Sequence, residues 1–130
     1  MNIWSRPPSG RNSQTFSDPT FTGTKVTAQA PIVVASPTTQ TGASYTVAAN
    51  DTYIIANVAG TQTLTLPAAS SFTGRRLVVK TITANTVVSA SSNVIPRAGG
   101  AAGTAILAAA AGNWAELVSN GTNWEIMAGS

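Results

Sequence analysis

The chain contains neither histidine nor cysteine. That removes disulfides, thiolate metal ligands, the thiol nucleophile and the side chain that most often serves as a general base. Charge is scarce as well: 8% of the residues are Asp, Glu, Lys or Arg, against roughly 25% in an ordinary soluble domain. No apolar run approaches the ~18 residues of a membrane span. The first residues, Met1-Asn2-Ile3-Trp4-Ser5-Arg6-Pro7-Pro8, lack the apolar core of a signal peptide, so the expected site of synthesis is the cytoplasm. Seven basic residues against four acidic give a net charge of +3. Only Arg75, Arg76 and Lys80 lie close together, and a nucleic-acid footprint needs clustered cations with interleaved aromatics. No nucleic-acid partner is therefore expected.

What is present is a surface vocabulary of Thr, Ser, Asn, Gln and Ala on a chain that is 43% hydrophobic. A surface so poor in charge is easily buried against copies of itself, because little charge must be desolvated. The composition therefore favours an assembly subunit over a free monomer.

Two regions follow one another. Five of the seven prolines (Pro7, Pro8, Pro19, Pro31, Pro37) fall within the first 37 residues. Proline fixes φ and removes a backbone donor, so this stretch excludes helix and central strand and should be extended. One reading of residues 1–40 is a disordered tail. The preferred one is an anchoring arm, because pure linkers rarely spend groups as large as Ile3, Trp4, Phe16 and Phe21. In that reading Trp4, Phe16 and Phe21 fill pockets on a partner, while Arg6 and Arg11 meet an acidic surface.

From about Thr41 onward, short runs rich in Val, Ile, Leu and Thr alternate with turn residues. Strands are predicted over Tyr45–Ala48, Tyr53–Ala56, Gln62–Leu66, Arg76–Thr81, Thr86–Ser89, Thr104–Ala108, Trp114–Val118 and Trp124–Met127. Thr63-Leu64-Thr65-Leu66 alternates as a half-buried strand should. The alanine-rich stretch Ala105–Ala111 would suit a helix, but Gly103 and Gly112 bracket it and it reads as strand plus turn. The expected fold is all-β, a small antiparallel sandwich or jelly-roll-like domain over residues 41–130, carrying the N-terminal arm.

The last two strands flank Ser119-Asn120-Gly121-Thr122, where Asn-Gly suits a two-residue type I′ turn. That register sets Leu117 opposite Trp124 and Ala115 opposite Ile126. It also sets Trp114 against Met127, and Glu116 against Glu125. Facing carboxylates repel, so either a bulge displaces them or a base stands nearby, and Arg75-Arg76 is the nearest candidate. Apolar groups on both faces suggest that another subunit covers one of them.

Only Asp18, Asp51, Glu116 and Glu125 remain for acid–base chemistry. Two carboxylates about 5 Å apart would suit a retaining glycosidase, but solvated or arginine-paired glutamates on a hairpin are the plainer reading. No serine elbow, phosphate loop or calcium loop is present. Gly99-Gly100-Ala101-Ala102-Gly103 lacks the lysine and the strand-to-helix step of a phosphate cradle and reads as a surface loop. The chain is not expected to be an enzyme or to hold a cofactor or metal. Trp114 and Trp124 could stack on a sugar ring, though a Trp in a small β domain is more often core.

Two stretches carry a resemblance. Asp18-Pro19-Thr20-Phe21-Thr22-Gly23-Thr24 resembles a short linker motif that recurs in phage tail-fibre and related virion proteins. Thr63-Leu64-Thr65-Leu66-Pro67, Gly74-Arg75-Arg76-Leu77-Val78-Val79-Lys80, Trp114 and Leu117–Trp124 together resemble a small β domain at the ends of phage fibres and head appendages. The resemblance covers roughly residues 18–127 and rests on turn-and-strand patterns. It implies a virion protein, commonly trimeric, with a threaded N-terminal region and a compact C-terminal domain. One motif copy and no long shaft point to a short head fibre or capsid decoration subunit. Its expected partners are itself, as a homotrimer, and the major capsid or another virion protein through residues 1–40. A receptor- or glycan-binding tail appendage is the alternative, with host-surface glycan as its ligand. Its expected location is the virion surface.

Overall fold

The computed structural model describes residues 35–130, whose regular secondary structure is all β apart from one 3-10 turn at Ala69–Ser71. Ten strands form two sheets. β1 (Thr38–Gln40), β3 (Tyr53–Ala56), β5 (Arg76–Thr81), β9 (Trp114–Ser119), β10 (Trp124–Gly129) and β7 (Val94–Ile95) make a six-stranded sheet in that order. β2 (Ser44–Thr46), β4 (Thr61–Thr65), β6 (Thr86–Ser89) and β8 (Ala105–Leu107) make a four-stranded one. The all-β, two-sheet expectation holds.

The pairing within the sheets departs from the antiparallel expectation. Five pairings are parallel: β1 with β3, β3 with β5, β2 with β4, β4 with β6, and β10 with β7. Only β5·β9, β9·β10 and β6·β8 are antiparallel. Through β6 the chain alternates sheets at every strand, so parallel neighbours in one sheet are joined through a strand of the other. The result is three stacked coils, closed at one end by antiparallel strands. Parallel neighbours require a crossover connection, and here the opposite sheet supplies it.

Alternation of apolar and polar residues places each strand's inner face. Ile54, Val79 and Ala115 form one cross-strand row of the six-stranded sheet, and Leu77, Leu117 and Ile126 another. Leu64, Val87 and Leu107 face them from the other sheet, and all but the half-buried Ile126 are buried. Trp124 is the largest fully buried side chain, and its Nε1–H donates to the Pro67 carbonyl at 3.0 Å. At one end the interior is polar: Gln62, Thr81 and Asn85 are fully buried. Gln62 Nε2 donates to Gly42 O at 2.8 Å, and Thr81 Oγ1 to Ala110 O at 2.6 Å. These bonds fasten the connecting loops to the coil interior.

Two strands lie outside the sequence-based set: β1, within the segment read as the arm, and β7, only two residues long. Thr38–Gln40 pair with Ile54–Ala56 as the edge of the six-stranded sheet.

The closing hairpin has another register than the Asn-Gly turn suggested. Trp124 pairs with Ser119, Glu125 with Val118, Ile126 with Leu117, and Ala128 with Glu116 after a bulge at Met127. The loop is four residues, not two. Asn120 Oδ1 accepts from the backbone N–H groups of Thr122 and Asn123 at 2.9 and 2.8 Å, and Asn120 N–H donates to Asn123 O at 3.0 Å. An Asn side chain that mimics a backbone turn in this way competes with the tighter hairpin. The two-residue shift leaves Trp124, Glu125 and Ile126 on their expected faces, since strand side chains repeat every two residues, and the bulge then turns Ala128 outward beside Glu116.

Candidate functional site

Two outer surfaces of the coil stack differ sharply. On the four-stranded sheet the outward rows run Thr61–Thr86, Ser44–Thr63–Val88–Ala105 and Thr46–Thr65, almost all small or hydroxylated. On the six-stranded sheet they run Ile55–Lys80–Trp114, Tyr53–Val78–Glu116–Ala128 and Arg76–Val118–Glu125–Ile95. The exposed large hydrophobics of the described residues are Tyr53 (40%), Ile82 (48%), Trp114 (39%) and Met127 (59%). Tyr53 and Trp114 stand in these outward rows, Ile82 follows two residues after outward Lys80, and Met127 occupies the bulge beside Ala128.

An open groove of about 780 Å³ borders this face, lined among others by Asn50, Tyr53, Phe72, Thr73, Arg75 and Arg76. Its floor is set by the Ala48–Asp51 turn. Asp51, buried, accepts from Tyr45 Oη and Ala48 N–H, each at 2.7 Å, and from Thr38 Oγ1 at 3.3 Å. The hydrogen bond to Asp51, then burial and the carboxylate's charge, hold the Tyr45 phenol above its ordinary pKa of 10.0. Arg75 Nη2 donates to the carbonyls of Ala48 and Asp51 at 2.6 and 2.8 Å, while its guanidinium lies 5.0 Å from the centre of the Phe72 ring. Arg75 thus reaches no glutamate; it ties two segments 24 and 27 residues apart.

Arg76 does reach one. Its Nε and Nη2 grip Glu116 at 3.1 and 2.8 Å, and this ion pair raises the Arg76 pKa. Glu116 faces Ala128 rather than Glu125, and Glu125 accepts from Asn120 Nδ2 at 2.6 Å. The facing carboxylate pair that a glycosidase reading needs is therefore absent from the hairpin. Among the described residues no three His, Cys, Asp or Glu side chains gather as a metal site would require.

Of the two tryptophans considered for a sugar, Trp124 is fully buried and bonded to Pro67, so it offers no ring face to a ligand. Trp114 keeps an exposed ring on the apolar face. Trp4, Arg6, Arg11, Phe16 and Phe21, the anchor candidates, lie outside the described residues. Sequence reasoning missed Tyr53, Phe72 and Arg75 as neighbours in one groove. The tandem Arg75-Arg76 after Thr73-Gly74 was the one local signal, and nothing near Tyr53 announces its position.

The chain matches no protein-family model, no curated protein and no solved structure.

Proposed function

We propose that this chain is a structural protein of a phage particle, a short trimeric head fibre or capsid decoration subunit anchored through residues 1–40. The observation that carries the reading is the contrast between its two outer faces. One is a hydroxyl-rich surface suited to water, and the other gathers the exposed Tyr, Trp, Ile and Met side chains of the described residues. A chain with so little charge to desolvate, and with its apolar surface on one side, is suited to assembly. The resemblance of the Asp18–Thr24 motif and of the strand-and-turn pattern to virion proteins supplies the particular setting. Arg75 and Asp51 act as internal ties in this account, and the chain carries out no catalysis.

The test is occupancy on purified particles. Trp4→Ala with Phe16→Ala should abolish incorporation while the far-UV circular dichroism of the β domain stays unchanged. Particles that retain the variant at wild-type occupancy would overturn the anchor assignment.

A second reading, recognition of a host glycan, is favoured by the half-open Trp114 ring and by the groove of Tyr53, Phe72, Asn50 and Thr73 nearby. It predicts a polysaccharide-dependent change in Trp emission that Trp114→Phe abolishes. A flat titration rejects it.

A further inference from the structure

Resting on that reading of an assembly protein, we infer that the outward face of the six-stranded sheet is the surface on which copies of this chain meet. Each of its rows sets apolar side chains beside a charged one: Ile55 and Trp114 flank Lys80, Tyr53 and Val78 stand together beside Glu116, and Val118 lies between Arg76 and Glu125, with Met127 at the bulge. The six strands hold 27 residues, which at about 3.3 Å along and 4.8 Å between strands give roughly 430 Å² per face, so two apposed faces cover about 850 Å². That is the size of a small contact, still more than the isolated apolar side chains of an ordinary surface would supply.

Charge decides what kind of occupant fits. The face carries two cations and two anions. Arg76 and Glu116 neutralise each other within the chain. Lys80 and Glu125 form no ion pair among the described residues, and they lie on different strands and in different rows, toward opposite corners. A partner whose surface bore one sign of charge would leave one of these two buried and unmatched, which is costly. A second copy carries the complement of both, so that Lys80 of one copy meets Glu125 of another.

This predicts a pattern of rescue that no structural role of either residue produces. Full-length chains bearing K80E, E125K, or both changes together are examined by light scattering, with circular dichroism to confirm folding. Each single variant places like charges in apposition and should weaken self-association by at least about a hundredfold. The K80E/E125K chain should regain the wild-type mass. T65K, on the exposed hydroxyl face, should leave the mass unchanged. Single variants that keep the wild-type mass, or a double variant that stays dissociated, overturn the assignment. So does a monomeric wild-type chain, as would follow if its own N-terminal segment covered the face. An oligomer that obeys this pattern but never joins a particle removes the virion reading and leaves the face assignment standing.

Discussion

Arg75 shows how a charged side chain can serve structure without meeting an opposite charge. Its two bonds are to carbonyl oxygens of the Ala48–Asp51 turn, and its flat face covers Phe72. Arg75→Ala removes charge-assisted hydrogen bonds that hold distant segments together, and should cost about 1.5–3 kcal/mol in urea unfolding. Arg75→Lys should recover little, because an ammonium lacks the planar fork and the stacking surface. By contrast Arg76→Ala breaks only an exposed ion pair and should leave the urea-unfolding midpoint almost unchanged. Two adjacent arginines of identical sequence character thus differ in consequence, and only the fold distinguishes them. A similar asymmetry separates the tryptophans. Trp124 follows the Asn-Gly loop and Trp114 opens the hairpin, both at strand starts, yet one is core and the other is half open. Gly129 is a third case. A Cβ there would stand 2.6 Å from the Trp114 carbonyl oxygen, so Gly129→Ala must spread the last two strands and should lower the unfolding midpoint by an amount worth about 1–3 kcal/mol.

At the scale of elements, eight strands were legible because alternation marks a half-buried strand whatever its partner. Tyr53–Ala56, Arg76–Thr81 and Thr86–Ser89 have the bounds that their residues suggest. Direction was not legible. Connections such as the four residues between β3 and β4 suit a hairpin and a corner to the opposite sheet equally well. β1 and β7 escaped notice because two or three residues are too few to show a period. The Ala48–Asp51 turn that follows β2 offers a test of the element's chemistry. Folding holds the Tyr45 phenol above its ordinary value, so the neutral form is the one the folded state prefers. The stability this contributes is complete below pH 10 and is lost as the pH climbs through the raised value. The stability difference between wild type and Tyr45→Phe should therefore be constant across neutral pH and shrink in strong alkali. A difference that does not change between pH 8 and 12 would show that Asp51 contributes nothing through the phenol. In the closing hairpin, Asn120→Ala deprives two backbone N–H groups of their acceptor and should cost about 1 kcal/mol.

For the molecule as a whole, the coil arrangement explains why two outer faces can differ so completely. Parallel stacking sets each strand's outward residue over its counterpart one coil further on, so a threonine preference in one sheet builds into a hydroxyl surface, while the other sheet stacks Tyr53 over Val78 and Ile55 over Lys80. The sequence reading anticipated that another subunit would cover apolar groups of the hairpin. It could not show that Tyr53 and Val78 belong to the same surface, because that depends on the parallel register of β3 against β5. Nor could it assemble the groove, whose walls come from segments about 25 residues apart in the chain. The assembly role of this face implies a closed oligomer rather than a monomer in solution. The native mass of the full-length chain, measured by light scattering across a range of concentrations, tests this most directly. Three copies of a 13.2 kDa chain give 39.6 kDa, the mass the trimeric account predicts. A constant 13.2 kDa at every concentration would contradict it.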